Sequence, residues 1–361
     1  MTRKNNARRE ETLMGWLLAA PAVLLLLAFL IVPFFMAIGL AFTNQRLISP
    51  LPTEFVGGSN FAKLLTVRAL MQPPTLDEKT NKPVLDKDGA FTYAKVRDFT
   101  RNNPQYPQLN GLQEMRLIPW GDNRLVLLAG DAVFIRSLLN VLYFVVIVVP
   151  IQGGLALLLA MLINSRTRGI NIFRTIYFVP VVVSMVVVSI LWKIIYDPNG
   201  GLLNNLLNLI TFGAFQPVNW LGNPSTAMNS IIAMSVWQGV GFHMVIWLAG
   251  LQTIPGVLYE AASVEGANAW QKFRYVTWPG LRNTTVFILV TITMAAFGLF
   301  TQVNVMTRGG PLDATTTVIY QAILNGREKQ DIAYGSAISV VFFVMVLTVA
   351  LIQRRLTQER D

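Results

Sequence analysis

Five stretches of the chain, 12–45, 137–165, 198–259, 283–307 and 332–353, contain no Asp, Glu, Lys or Arg. Uncharged runs of this length pass the roughly 18-residue minimum for a helix that crosses a bilayer. Read against turn-forming residues, the apolar runs predict six helices at 13–42, 137–163, 175–196, 227–251, 283–306 and 332–353. The first is longer than a bilayer requires, so either Pro21 and Pro33 kink it or its first turns lie in the interface. It is also far too long for the apolar core of a signal peptide, despite Arg3, Lys4, Arg8 and Arg9 ahead of it. Residues 198–224 are uncharged but crowded with Asn, Gly and Pro, so they read as an ordered connection with a short interfacial helix.

Composition strengthens this picture. Of 361 residues, 53% are hydrophobic and 13% charged, about half the roughly 25% of a soluble domain. The chain is therefore read as an all-α polytopic membrane protein, and a soluble globular enzyme is excluded. Net charge is +10, from 29 Lys+Arg against 19 Asp+Glu, which in a soluble protein would point to nucleic acid. Here the short basic segments at Arg166/Arg168/Arg174, Lys272/Arg274/Arg282 and Arg354/Arg355/Arg360 all fall on the side of the termini. The positive-inside rule makes that side the cytoplasm, accounts for the charge and leaves no role for nucleic acid. The chain has no Cys, hence no disulfide or thiolate metal site.

This topology divides the chain into a cytoplasmic tail (1–12), a first span (13–42), a large extracytoplasmic loop (43–136), a five-helix core (137–353) and a second tail (354–361). The loop holds a short amphipathic helix at Asn60–Leu65, a turn-rich centre, and Phe91, Tyr93, Phe99, Tyr106 and Trp120, enough aromatics for a small folded cap. Two readings fit it: a passive cover over the outer mouth, or a docking surface for an external solute-binding partner.

Catalytic motifs are absent. Gly-Lys occurs nowhere, so the chain has no phosphate loop, and neither His-Glu-x-x-His nor Gly-x-Ser-x-Gly is present. Proton- and sodium-coupled carriers usually bury carboxylates in their spans, and these spans have none. That disfavours the alternative reading, an ion-coupled secondary transporter of a small polar solute. His243 is the one ionisable group well inside a span and is read as a satisfied interior histidine. The other polar groups there are neutral: Ser184, Ser189, Ser235, Gln238, Thr291, Thr293, Thr301, Gln302 and Asn304. Hydroxyls and amides of this kind suit a neutral, hydroxyl-rich solute, but taken singly they also suit hydrogen bonds between helices.

The most specific segment lies between the fourth and fifth spans, Pro255-Gly256-Val257-Leu258-Tyr259-Glu260-Ala261-Ala262-Ser263-Val264-Glu265-Gly266-Ala267, running on to Val276-Thr277-Trp278-Pro279. Ala261, Ala262, Ala267 and Ala269 leave room for another backbone, and Gly266 can end a helix. Glu260 suits a helix dipole or a basic partner. Trp270, Phe273 and Tyr275 supply bulk to brace the hairpin. Glu260-Ala261-Ala262, then Gly266, Val276, Trp278 and Pro279 at this spacing resembles the cytoplasmic signature of binding-protein-dependent ABC importer permeases. Val276, Trp278 and Glu265 are mild departures from it. Further segments, among them Gly201-Leu202-Leu203-Asn204, Trp220-Leu221-Gly222 and Thr307-Arg308-Gly309-Gly310-Pro311, are similar to the carbohydrate-uptake branch. Residues 66–133 look like an insertion relative to it.

The resemblance implies a non-catalytic subunit in a bacterial cytoplasmic (inner) membrane, with six transmembrane helices of the importer-permease type. Its partners would be a second permease subunit in a heterodimer, an ATPase dimer, an extracytoplasmic solute-binding protein and the lipid bilayer. The chain itself would need no cofactor, ATP and magnesium being held by the ATPase subunits. The loop 255–282 would be the coupling element, with Glu260, Ala261, Ala262, Gly266 and Ala267 at the ATPase contact. Analogy with sugar-contacting positions implies a substrate path at Ser235, Gln238 and Gly239, with Ser184, Thr301 and Gln302 near it. The cargo implied is a neutral sugar or oligosaccharide.

Overall fold

The computed structural model describes residues 2–50, 52–77, 80, 82–164 and 170–357. Arg166, Arg168 and Arg360, three of the basic residues used to orient the chain, lie outside the described residues. The chain forms two compact units, Met1–Lys63 with Ala322–Phe342, and Leu64–Gln321 with Phe343–Asp361.

In the first unit, α1 (Thr2–Leu26) passes through a wide turn, Leu27–Ile31, into α2 (Val32–Leu40). Pro33 has no N–H to return to the preceding turn, and just before it Val32 N–H bonds Leu27 O five residues back. The stretch Thr12–Leu40 is long and apolar enough to cross a bilayer. The end of α2 is held by Asn60 Nδ2, which donates to Ala41 O and Thr43 O at 2.9 Å each. Asn60 stands on α3 (Ser59–Leu65), the short helix predicted there. Residues 45–47 meet the start of the last helix through Ala333 N to Gln45 O (3.0 Å), Leu47 N to Gln330 O (2.8 Å) and the exposed pair Arg46–Asp331 (3.8 Å).

The second unit starts with a departure from the all-α expectation. Strands β1 (Val67–Gln72), β2 (Gln113–Trp120) and β3 (Asn123–Ala129) form an antiparallel sheet in the order β1-β3-β2, with a short helix α4 (Arg97–Thr100) between β1 and β2. Gly121 has φ +60° and opens the two-residue connection from Trp120 to Asn123, as a tight hairpin turn requires. Val126 and Leu128 of β3 pack with Val96 and Leu109 into a small core, against which Phe99 and Tyr106 lie edge to face at 5.5 Å. The aromatic cluster read from the sequence is thus real for these two rings, whereas Trp120 is exposed.

After the sheet, the unit is helical: α5 (Ala132–Ile163), α6 (Ile170–Val182), α7 (Met185–Ile195), α8 (Leu202–Ile210), α9 (Ala227–Gln252), α10 (Gly256–Val264), α11 (Ala269–Lys272), α12 (Trp278–Gly280), α13 (Arg282–Phe297), α14 (Thr301–Met306), α15 (Val318–Ile323) and α16 (Ile332–Thr357), the last of which runs through both units. Among the described residues, five helical stretches are long and apolar enough to cross a membrane: Thr12–Leu40, Ala132–Ile163, Ala227–Gln252, Arg282–Met306 and Ile332–Arg355.

The expected continuous helix at 175–196 is corrected. It breaks between Val182 and Met185 and bends by 100°. Ser184 leaves helical backbone there (φ −55°, ψ 135°), after three β-branched valines, Val181–Val183, with low helix propensity. The helix expected over 283–306 is also interrupted, at 298–300. One carbonyl freed by that break, Leu299 O, accepts from Thr317 Oγ1 at 2.8 Å, so it is not left unpaired in the interior. The short helix expected within 198–224 is α8, where Asn204 accepts from Trp220 Nε1 (2.8 Å) and donates to Val218 O (3.0 Å).

Candidate functional site

Helix α9 is the axis of the second unit, and glycines set how closely its neighbours approach. A Cβ on Gly241 would stand 1.9 Å from Tyr177 O of α6, one on Gly239 2.5 Å from Gln152 Nε2 of α5, and one on Gly250 2.4 Å from Thr284 Oγ1 of α13. Close approach over small residues is how helices associate where lipid removes the hydrophobic drive between them. Polar side chains fasten the same contacts. Trp247 Nε1 donates to Gly153 O at 3.0 Å, Tyr143 OH to Asn229 Oδ1 at 2.7 Å and Tyr196 OH to Ser230 O at 3.0 Å.

Where α5, α9 and α13 diverge they leave a cavity of about 250 Å³. Its polar wall is Gln152, Ser235, Gln238, His243, Thr291 and Gln302; its apolar wall includes Phe144, Phe242 and Ile292. Ser235, Gln238, Gly239 and Gln302, expected on the substrate path, are thereby brought together. Ser184 and Thr301, expected near them, are not part of the wall: Ser184 sits at the helix break and Thr301 begins α14. Thr291 is already occupied, donating to Phe287 O and Ile288 O at 3.0 Å.

The sequence reading missed Gln152 altogether and described His243 as satisfied. Gln152 Nε2 lies 2.9 Å from His243 Nδ1, and the same Nδ1 is 3.0 Å from Gly239 O. Only that half of the imidazole is satisfied: buried His243 Nε2 has no hydrogen-bond partner, nor has Ser235 Oγ. The available signal for Gln152 was that it is the one amide within the apolar stretch 141–163 of α5.

The segment after α9 has the opposite character. Helix α10 ends in a Schellman motif: Gly266 lies at φ +77°, its N–H bonds Ser263 O (3.1 Å), and Ala267 N–H bonds Ala262 O (2.9 Å). The chain then restarts through a capping box, Asn268 Oδ1 accepting from Gln271 N (2.9 Å) and Gln271 Oε1 from Asn268 N (2.7 Å). Tyr259 OH meets Thr277 Oγ1 at 3.0 Å and ties α10 to the return segment. Phe273 stacks against Trp270 at 5.5 Å and approaches Trp278 at 6.2 Å. Tyr275, expected to brace the hairpin with them, is instead exposed, and Tyr259 takes that part.

No residue of α10 is buried. Val264 is 88% exposed and Trp270 68%, with Val257 and Leu258 also open, so an apolar surface on a rigid frame faces outward. Glu260 falls at the fifth residue of α10 rather than at its start, is exposed, and forms no ion pair among the described residues. Past the first turn, it is out of reach of the helix-dipole role expected of it.

Comparison with known proteins bears on both regions. The family described as binding-protein-dependent transport system inner membrane component matches residues 133–360. The lactose transport system permease protein LacF of Rhizobium radiobacter is 36% identical over 244 residues, 66% of this chain and 81% of LacF. A chain of a bacterial ABC transporter involved in import of the acidic polysaccharide alginate superposes with a TM-score of 0.67 at 20% identity, over 99% of this chain and all of that one. That alignment takes in the sheet-bearing connection, which the family match leaves out. A chain from a bacterial alginate ABC transporter in complex with a pentasaccharide-bound periplasmic protein aligns over 63% of this chain and 81% of its own length, with 25% identity and a TM-score of 0.58.

Proposed function

Since this chain belongs to the binding-protein-dependent transport system inner membrane components and is a multi-pass permease subunit of an ABC importer, we propose that it forms half of a translocation path for a neutral sugar or oligosaccharide. The observation that carries the substrate class is the cavity beside α9. Its polar groups are amides, hydroxyls and one imidazole, with no carboxylate, lysine or arginine in the wall. Such a wall can exchange hydrogen bonds with sugar hydroxyls while aromatic Phe144 and Phe242 cover the apolar faces of a ring. LacF is named for lactose transport and the aligned importer for alginate, both carbohydrates. A neutral wall favours an uncharged saccharide over an acidic one.

In this reading the bent pair Ile172–Val182 and Met185–Ile195 counts as one crossing, giving six spans. The termini and the α10–α12 hairpin are cytoplasmic. The connection 43–136 is extracytoplasmic and receives a solute-binding protein. A second permease completes the path as a heterodimer. The exposed surface of α10, with Glu260, Ala261, Ala262, Gly266 and Ala267, seats in a cleft of a separate ATPase subunit that holds ATP and magnesium. Nucleotide then favours one of two packings of the spans, and the hairpin, fixed by its Schellman motif and the Tyr259–Thr277 contact, conveys that preference as a rigid body.

The test is affinity purification of the chain in mild detergent from its own membranes, with mass spectrometry of co-purifying proteins. A second multi-span permease and an ATPase with a phosphate loop are expected, and ATPase activity stimulated by a saccharide-loaded binding protein. A chain that emerges alone, where comparable complexes stay intact, would refute the assembly.

A further inference from the structure

His243 and Ser235 carry an unexplained cost. His243 is 5% exposed and Ser235 8%, yet His243 Nε2 and Ser235 Oγ are both covered and both without a hydrogen-bond partner. Buried polar atoms are nearly always paired, so each orphan calls for an explanation. The two residues stand on one face of α9, just over two turns apart, with Gly239 between them, and both belong to the cavity wall. At about 250 Å³ the cavity is smaller than the roughly 300–1,000 Å³ usual for ligand pockets. Entry of a saccharide therefore has to widen it, and widening uncovers these atoms.

The other half of the imidazole is fixed. Nδ1 contacts both Gln152 Nε2 at 2.9 Å and Gly239 O at 3.0 Å, so this edge of the ring is engaged and Nε2 is the free edge. Gly239 permits this contact, since a Cβ there would occupy the position of the Gln152 amide. No carboxylate or basic side chain lines the wall around the ring; Phe242 meets it edge-on at 5.1 Å.

We propose that His243 is a specificity-determining residue of the pathway, its Nε2 withheld in this conformer and hydrogen-bonded to a saccharide hydroxyl when the path widens, with Gln152 as the positioning residue that holds the opposite edge of the ring. The proposal rests on the cavity being the saccharide path.

Two readouts test it on the assembled complex. The chain has a single histidine, so peptide-level mass spectrometry of diethyl pyrocarbonate modification reports His243 alone for this subunit. Reactivity should differ about tenfold between the nucleotide-free complex and the complex trapped with ATP and vanadate. Equal resistance in both states would overturn the proposal. The second readout is uptake of labelled lactose and of labelled maltose by cells carrying the variants. His243→Asn keeps a polar group where Nδ1 lies and loses the one at Nε2, whereas His243→Gln reaches the Nε2 position. The expected result is a KM raised about tenfold in His243→Asn with little change in kcat, and largely restored in His243→Gln. Equal KM values for the two variants would overturn the assignment. Wild-type cells that carry neither sugar would count against the neutral-saccharide reading, while the labelling result still decides the role of His243. For Gln152→Leu, the 15N shifts of the one histidine should change, because one of the two contacts at Nδ1 is lost; unchanged shifts would remove Gln152 from the device.

Discussion

Helix α9 and the hairpin that follows it are adjacent in sequence and opposite in design. In α9, 61% of the most apolar window is buried within the chain, and its glycines, Trp247 and His243 all meet named partners. In α10 nothing is buried, yet its C-terminus is held by a Schellman motif and the chain after it by the capping box of α11. One element is rigid because its neighbours pack against it; the other is rigid through local hydrogen bonds and keeps its apolar surface unspent. A surface that is fixed before it is covered loses little entropy on docking, which suits an element that transmits motion between subunits.

The contrast can be broken first at α9. Gly241→Val should have the largest effect, because an added Cβ meets the Tyr177 carbonyl rather than a movable side chain. Separation of α6 from α9 is expected, at a cost on the order of 3 kcal/mol or more. Size-exclusion profiles of the detergent-extracted complex should show loss of the assembled species; a normal profile would disprove close packing at this crossing.

Next comes Gly266→Asp, which combines a left-handed backbone position with charge on the docking face. Membrane level should stay normal while uptake falls by roughly 30-fold or more, the scale of a lost interface hot spot. Wild-type uptake in this variant would defeat the coupling assignment. A smaller, more selective loss is expected from Gln238→Leu in the cavity wall, about tenfold in KM with basal ATPase activity retained. An unchanged KM would remove Gln238 from the path. The mildest case sharpens the comparison: Val264→Ser should leave the thermal stability of the chain within about 0.5 kcal/mol, since the side chain is 88% exposed. It should still lower ATPase stimulation in the assembled complex, a pairing that a purely structural hairpin would not produce.

What the sequence revealed follows the same division. The hairpin was legible because its determinants are local, Gly266 at the helix end and the alanines beside it, although the Asn268–Gln271 capping box went unread. The long spans were legible from missing charge. The break at Ser184 was not, because Val181–Val183 are as apolar as any span and only their β-branching hints at it. Nor was the sheet, whose edge strands β1 and β2 mix charged and apolar residues without a clean alternation, so that β3 and its partners organise them. The cavity was half legible. Ser235, Gln238 and Gly239 lie within one and a half turns of a single helix, whereas the Gln152–His243 contact joins residues 91 positions apart and exists only once α5 packs on α9.

In the proposed assembly the exposed face of α10 is completed by another protein. The chain contains no cysteine, so Val264→Cys provides a single attachment point for a thiol-directed photocrosslinker in native membranes. One dominant crosslinked product is expected, an ATPase subunit with a phosphate loop, whose yield changes when ATP and vanadate are added. Crosslinks only to lipid, or only within this chain, would contradict it.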